Sequence, residues 1–185
     1  MSERKSFEEK TIKSETIYNG KIVDLRIETV ELPNKMYAKR EIVDHSKGAC
    51  VIPITNDKKI ILIKQYRKAV RQFIYELPAG LVDPGEEPSE TANRELQEEI
   101  GYKANDLKFL FSGYPSPGFT NEETSFFLGR DLEKSELELD YNEYLEPVEF
   151  TLEELSTMLK SCEITDMKTI IAILYLEAYH RDELI

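Results

Sequence analysis

The chain has 185 residues, of which 41% are hydrophobic and 32% charged, with a formal net charge of −12. That length suits one domain with its own core, and the even spread of Leu and Ile excludes a disordered chain. A surface this acidic repels phosphate backbones and anionic lipids, so nucleic acid and membrane are not expected partners, whereas small anions can bind where divalent cations invert the local field.

Met1–Lys10 is charged and has no apolar signal core, and no apolar run approaches the roughly 20 residues that span a bilayer. Cys50 and Cys162 are the only cysteines. Cys50, within Ala49-Cys50-Val51-Ile52, reads as a buried strand thiol, and two unspaced cysteines make no disulfide framework. A cytoplasmic protein is expected.

In chain order, Lys21–Leu32 and Met36–Asp44 are rich in β-branched residues and flank Pro33-Asn34-Lys35, the pattern of a hairpin. Ala49–Thr55 and Lys59–Tyr66 form a second pair around Asn56-Asp57-Lys58. Phe73–Leu77 is a short strand before Pro78, and Gly80–Glu87 is a compact loop in which Pro84 and Gly85 supply turn geometry. Glu87–Ile100 predicts a helix, with Pro88 near its start and Gly101 past its end. Strands are expected at Leu107–Tyr114, Thr124–Gly129 and Pro147–Phe150. Two helices close the chain: Thr151–Lys160, with a Thr151/Glu154 capping-box spacing, and Asp166–His180. This order points to a mixed sheet with helices on its faces.

The first helix carries the chemistry. Glu95, Glu98 and Glu99 stand at i, i+3 and i+4 and share one face, while Ala92, Leu96 and Ile100 form an adjacent stripe suited to burial. Like charges so spaced cost about 0.2–0.5 kcal/mol per pair, partly offset here by Arg94 one turn before Glu98. Hard carboxylate oxygens in a cluster suit Mg²⁺ or Mn²⁺. By itself such a face is more often mere solvation.

The wider spacing changes that balance. From Gly80 the chain runs to Glu86 and, after seven residues, to Arg94-Glu95-Leu96-Gln97-Glu98-Glu99-Ile100-Gly101-Tyr102. This resembles the Nudix box, G-x5-E-x7-R-E-U-x-E-E-x-G-U, where U is aliphatic; only Tyr102 departs from it. At roughly 7% background per residue, matching the seven specified positions by chance is on the order of 10⁻⁸ per start point. The resemblance implies an α/β/α sandwich with a mixed central sheet and an N-terminal antiparallel strand region. It also implies Mg²⁺ (or Mn²⁺) held by Glu95, Glu98, Glu99 and the carbonyl of Ala79, with Glu86 reaching back to Arg94.

Lys39-Arg40-Glu41, Lys64-Gln65-Tyr66-Arg67, Glu76-Leu77-Pro78-Ala79-Gly80 and Ser116-Pro117-Gly118-Phe119 are further similar to segments of bacterial ADP-ribose pyrophosphatases. That subfamily splits ADP-ribose into AMP and ribose 5-phosphate and works as homodimers whose N-terminal parts serve the partner's site. It implies a single domain over 1–185, with 1–45 contributing to the dimer and 46–185 the core. Arg40 and Arg67 would contact phosphate or ribose, Glu122 the terminal ribose, and Leu81 the substrate; Tyr18 and Phe7 are candidates for adenine stacking. For the catalytic base and a further metal ligand, the acidic stretch Glu136–Glu146 offers Glu143, with Asp140 second, and Glu98 and Glu99 share the catalytic work. Rival readings are a Nudix enzyme for GDP-mannose, NADH or a dinucleotide, and a non-catalytic ADP-ribose-binding domain.

Overall fold

The computed structural model describes residues 7–135 and 144–184. One unit of the chain lies within Met1–Ser46 and Ser116–Glu123, the other within Lys47–Pro115 and Thr124–Ile185.

In the first unit, β1 (Lys10–Asn19), β2 (Val23–Glu31) and β3 (Tyr37–His45) make an antiparallel sheet in that order. The β2–β3 hairpin lies where Pro33-Asn34-Lys35 places it, and Asn34 Oδ1 accepts the Met36 N–H at 3.1 Å. β1 is absent from the sequence reading. All ten of its residues are exposed, so no inward face marks it, and its ladder with β2 alone makes it a strand. The Ser116–Phe119 segment turns on itself, with the Phe119 and Thr120 N–H groups donating to Ser116 O at 3.2 and 3.1 Å. It is stitched to the end of β3: the Val43 N–H donates to Phe119 O at 2.7 Å, and the His45 N–H to Asn121 Oδ1 at 2.9 Å.

The second unit holds β4 (Gly48–Pro53), β5 (Ile60–Arg67), β6 (Gln72–Glu76), β7 (Ala79–Leu81), α1 (Pro88–Ile100), β8 (Tyr102–Gly113), β9 (Thr124–Lys134), β10 (Leu145–Phe150), α2 (Leu152–Lys160), α3 (Met167–Tyr179) and the short α4 (Arg181–Leu184). One sheet runs β7-β4-β9-β8, with β4 parallel to β9 and its other pairs antiparallel; a second, antiparallel sheet runs β10-β5-β6.

The continuous apolar runs of β4, β5 and β9 follow from burial on both faces. Ala49, Val51, Ile61, Ile63 and Phe127 pack with Ala92, Leu96 and Ile100 of α1. Their sequence neighbours Cys50, Ile52, Ile60, Leu62, Phe126 and Leu128 pack on the opposite side with Leu152, Leu155, Ala172, Ile173 and Leu176 of α2 and α3. The architecture is the expected α/β/α sandwich. Cys50 is fully buried, and burial pushes its thiol pKa up, so it is an inert core group.

Several element boundaries differ from the sequence reading. The loop expected from Gly80 begins later, because Ala79–Leu81 pairs along β4 and satisfies that strand's edge. β8 starts five residues early and β9 ends five late, since Tyr102–Asp106 pairs with Arg130–Lys134, a stretch too charged to signal a strand. Arg181–Leu184 adds a helical turn.

Candidate active site

Local sequence sets α1. The Glu87 N–H donates to Glu90 Oε2 at 2.9 Å and Pro88 follows at the first helical position, while Gly101 takes the left-handed conformation (φ 72°) that ends the helix. Its apolar stripe turns into the core, which leaves Arg94, Glu95 and Glu98 along the half-exposed flank toward β7 and its loop.

Arg94 is the hub of that flank. Its Nε donates to Glu86 Oε1 and its Nη2 to Glu86 Oε2, both at 3.2 Å, which ties the loop to the helix. Its Nη1 donates to Glu95 Oε1 and Glu98 Oε2, each at 2.8 Å, and its Nη2 also reaches Leu81 O at 3.3 Å. The Arg94 bonds, with one from Thr91 Oγ1 at 2.7 Å, hold the Glu86 carboxyl down at about 2. The same Glu86 contacts raise Arg94 above its ordinary value. Glu95 lies against the Gly80 backbone so closely that a Cβ there would overlap its carboxylate, so the box glycine makes room for the box glutamate. Glu99, 5% exposed, accepts the Ala79 N–H at 3.0 Å. The helix face is thus fastened to β7 through Glu99, with Glu95 packed against Gly80.

Of the residues the resemblance implies, Ala79 and Leu81 of β7 lie beside α1, where the Ala79 N–H meets Glu99 and Leu81 O meets Arg94, while Glu95 and Glu98 both accept from Arg94. Arg67 ends β5 in the same unit, where its Nε donates to Glu76 Oε2 at 2.6 Å. Arg40 and Glu122 belong to the other unit. There Arg40 pairs with Glu9 through two bonds, at 2.8 and 2.5 Å, and lines a hollow of about 320 Å³ with Glu41 and the Pro117–Asn121 segment. The Glu122 N–H donates to Thr120 Oγ1 at 3.2 Å. Glu143 and Asp140 lie outside the described residues.

The NUDIX domain family model matches residues 44–172, which include this helix, its loop and both layers of the core. The chain belongs to the Nudix family. It is 46% identical over 175 residues to the ADP-ribose pyrophosphatase of Bacillus subtilis (strain 168), covering 94% of this chain and 95% of that one. It is 45% identical, with the same coverage, to the methanol dehydrogenase activator of Bacillus methanolicus. Among solved structures, that of an ADP compounds hydrolase superposes with a TM-score of 0.87 at 26% identity, covering 97% of this chain and 98% of that chain. The chain is a Nudix hydrolase, a family that generally needs a divalent metal.

The Nudix box here suits such an ion by the chemistry of its donors, which are hard carboxylate oxygens on one helix face. Among the described residues no three acids converge as a ready-made ligand set. Instead Arg94 draws Glu95 and Glu98 to itself while Glu99 turns to the Ala79 N–H, the arrangement expected of like charges that spread toward separate partners. Tyr102, the one departure from the box, packs half-buried against the α1 side of the core.

The sequence reading did not single out Glu76. It is 3% exposed, an acid inside the apolar run Phe73–Leu77, and that conflict between charge and pattern was the available signal.

Proposed function

We propose that this Nudix hydrolase uses Mg²⁺, with Mn²⁺ as a substitute, to hydrolyse ADP-ribose with one water to AMP and ribose 5-phosphate. The observation that carries the reading is the box itself, folded with Arg94 binding Glu86, Glu95 and Glu98, in a chain 46% identical along nearly its whole length to an ADP-ribose pyrophosphatase. Glu95, Glu98 and Glu99, with the Ala79 carbonyl, would hold the metal. When bound, such an ion neutralises diphosphate charge and acidifies a water.

The remaining roles fall to the chain's own groups. Arg67 and Arg40 offer planar forks that match phosphate oxygens, Glu122 an acceptor for a ribose hydroxyl, and Leu81 an edge of the substrate pocket. Glu143 is proposed as the base on sequence grounds. A cytoplasmic homodimer, its N-terminal strands serving the partner's site, belongs to the same proposal. Product analysis with ADP-ribose, NADH, GDP-mannose and diadenosine polyphosphates in Mg²⁺ buffer tests the substrate. AMP and ribose 5-phosphate released fastest from ADP-ribose are expected, and a clear preference for another member of the panel would reject it. Glu143→Gln should lower kcat far more than Asp140→Asn while leaving calorimetric ADP-ribose binding near wild type.

The nearly equal similarity to a methanol dehydrogenase activator favours a second reading, in which the chain raises the activity of such a dehydrogenase. Adding wild-type chain and Glu99→Gln to a methanol dehydrogenase assay distinguishes three cases: no activation, activation that needs hydrolysis, and activation that does not.

A further inference from the structure

In the register of the second sheet, Ile63 faces Glu76 and Arg67 faces Gln72, so Ile63, Gln65 and Arg67 share a face with Gln72, Ile74 and Glu76. Arg67 lies back along that face to reach Glu76, and Glu76 is held from both sides. Its Oε2 accepts from Arg67 Nε at 2.6 Å, and its Oε1 accepts from Lys168 Nζ at 2.6 Å. Lys168 in turn meets Asp166 Oδ2 at 3.1 Å, and Asp166 caps α3 by accepting the Thr169 N–H at 3.0 Å. Thr169 Oγ1 accepts the Leu77 N–H at 2.9 Å and so closes the network beside Glu76. Burial, which alone would lower the Lys168 pKa, is outweighed by Asp166 and Glu76, and the ammonium sits above its ordinary value.

Arg67 is the most exposed of these groups, 41% against 5% for the Glu76 side chain. A buried ion pair is seldom the most stable filling for such a space, and what it supplies is direction. Gln65, between the two in the register, has a buried side-chain oxygen without a partner among the described residues, an acceptor for a ligand hydroxyl or a water.

We infer that Glu76, held in turn by Lys168, is a positioning residue for Arg67, fixing the plane of its guanidinium for the substrate's diphosphate. This rests on the ADP-ribose reading above. Binding energy spent on aiming the fork before substrate arrives is not lost on binding, so the effect belongs in KM.

The test combines kinetics with NMR of the full-length protein labelled with ¹⁵N-arginine. The Arg67 Nε–Hε signal should be slowly exchanging in wild type and lost in Glu76→Gln. With ADP-ribose and Mg²⁺, Glu76→Gln should raise KM about tenfold with kcat within about twofold, and Arg67→Ala/Glu76→Gln should be no worse than Arg67→Ala. Arg67→Lys, at a half-exposed position where folding is secure, keeps the charge but loses the fork and should raise KM similarly. An unprotected Arg67 Nε–Hε in wild type, multiplying effects in the double variant, or a wild-type KM in Arg67→Lys would each overturn the inference while the enzyme still cuts ADP-ribose. A wild type inert toward ADP-ribose with the NMR pairing intact would instead overturn the functional reading, and this role with it.

Discussion

On α1 and the loop before it, Glu86, Glu95, Glu98 and Glu99 outnumber Arg94, and they stand half-exposed or at the edge of the core. At the start of α3 the count is even: Glu76 and Asp166 meet Arg67 and Lys168, with Glu76 buried and Lys168 partly so. Both clusters tie helix to strand, yet only the first keeps an excess of negative charge. A balanced cluster satisfies itself and fixes geometry. An unbalanced one costs self-repulsion in the folded chain, and a divalent cation is what such a cluster is suited to receive.

The sharpest way to break the comparison is to remove charge from the unbalanced side. Glu98→Gln or Glu99→Gln should lower kcat by orders of magnitude with the circular dichroism spectrum unchanged, and EDTA should abolish wild-type turnover. Normal rates in Glu99→Gln would mean the α1 face is only solvated.

Next in size is Arg94→Ala. It leaves Glu86, Glu95 and Glu98 without their shared cation and should cost about 2–3 kcal/mol of stability, as removal of a hydrogen-bonded charge does. Mg²⁺ should then raise the Tm of this variant more than that of wild type, because the ion substitutes for the lost positive charge. Equal shifts would separate the Arg94 cluster from the metal site.

The two clusters should also fail at opposite ends of the pH scale. Glu86 has a depressed carboxyl, about 2 against 4.5, so its contribution is present above about pH 4.5 and is lost as pH falls toward 2. Lys168 has a raised ammonium, so its contribution is present below its ordinary value of 10.5 and is lost as pH rises through the higher folded value. Urea melts across pH should show the acid arm flattened in Glu86→Gln and the alkaline arm flattened in Lys168→Met, each without effect on the other arm.

The smallest effect is expected at Arg40, whose partner Glu9 is a surface group. Arg40→Ala should leave Tm unchanged and raise KM for ADP-ribose. A lower Tm with unchanged KM would make Arg40 a structural residue of the N-terminal sheet.

Much of this was legible in the chain itself. The acidic face rests on i, i+3 and i+4 spacing within one helix, and its clamp on a loop eight residues upstream, distances over which local geometry is nearly fixed by chain connectivity. The core strands β4 and β5 showed as segments dense in Val and Ile, and the ends of α1 as Pro88 and Gly101. Tertiary structure alone decided the rest. β1 has no buried face and exists through its ladder with β2. β7 became a strand because β4 had an edge to fill. Glu76 and Lys168 stand 92 positions apart and meet only once β6 and α3 pack together, a pairing that no periodicity in either segment encodes. Local spacing determines what one helix can present; which distant charge lies behind it is settled by packing, where burial forces every charged group to find a partner.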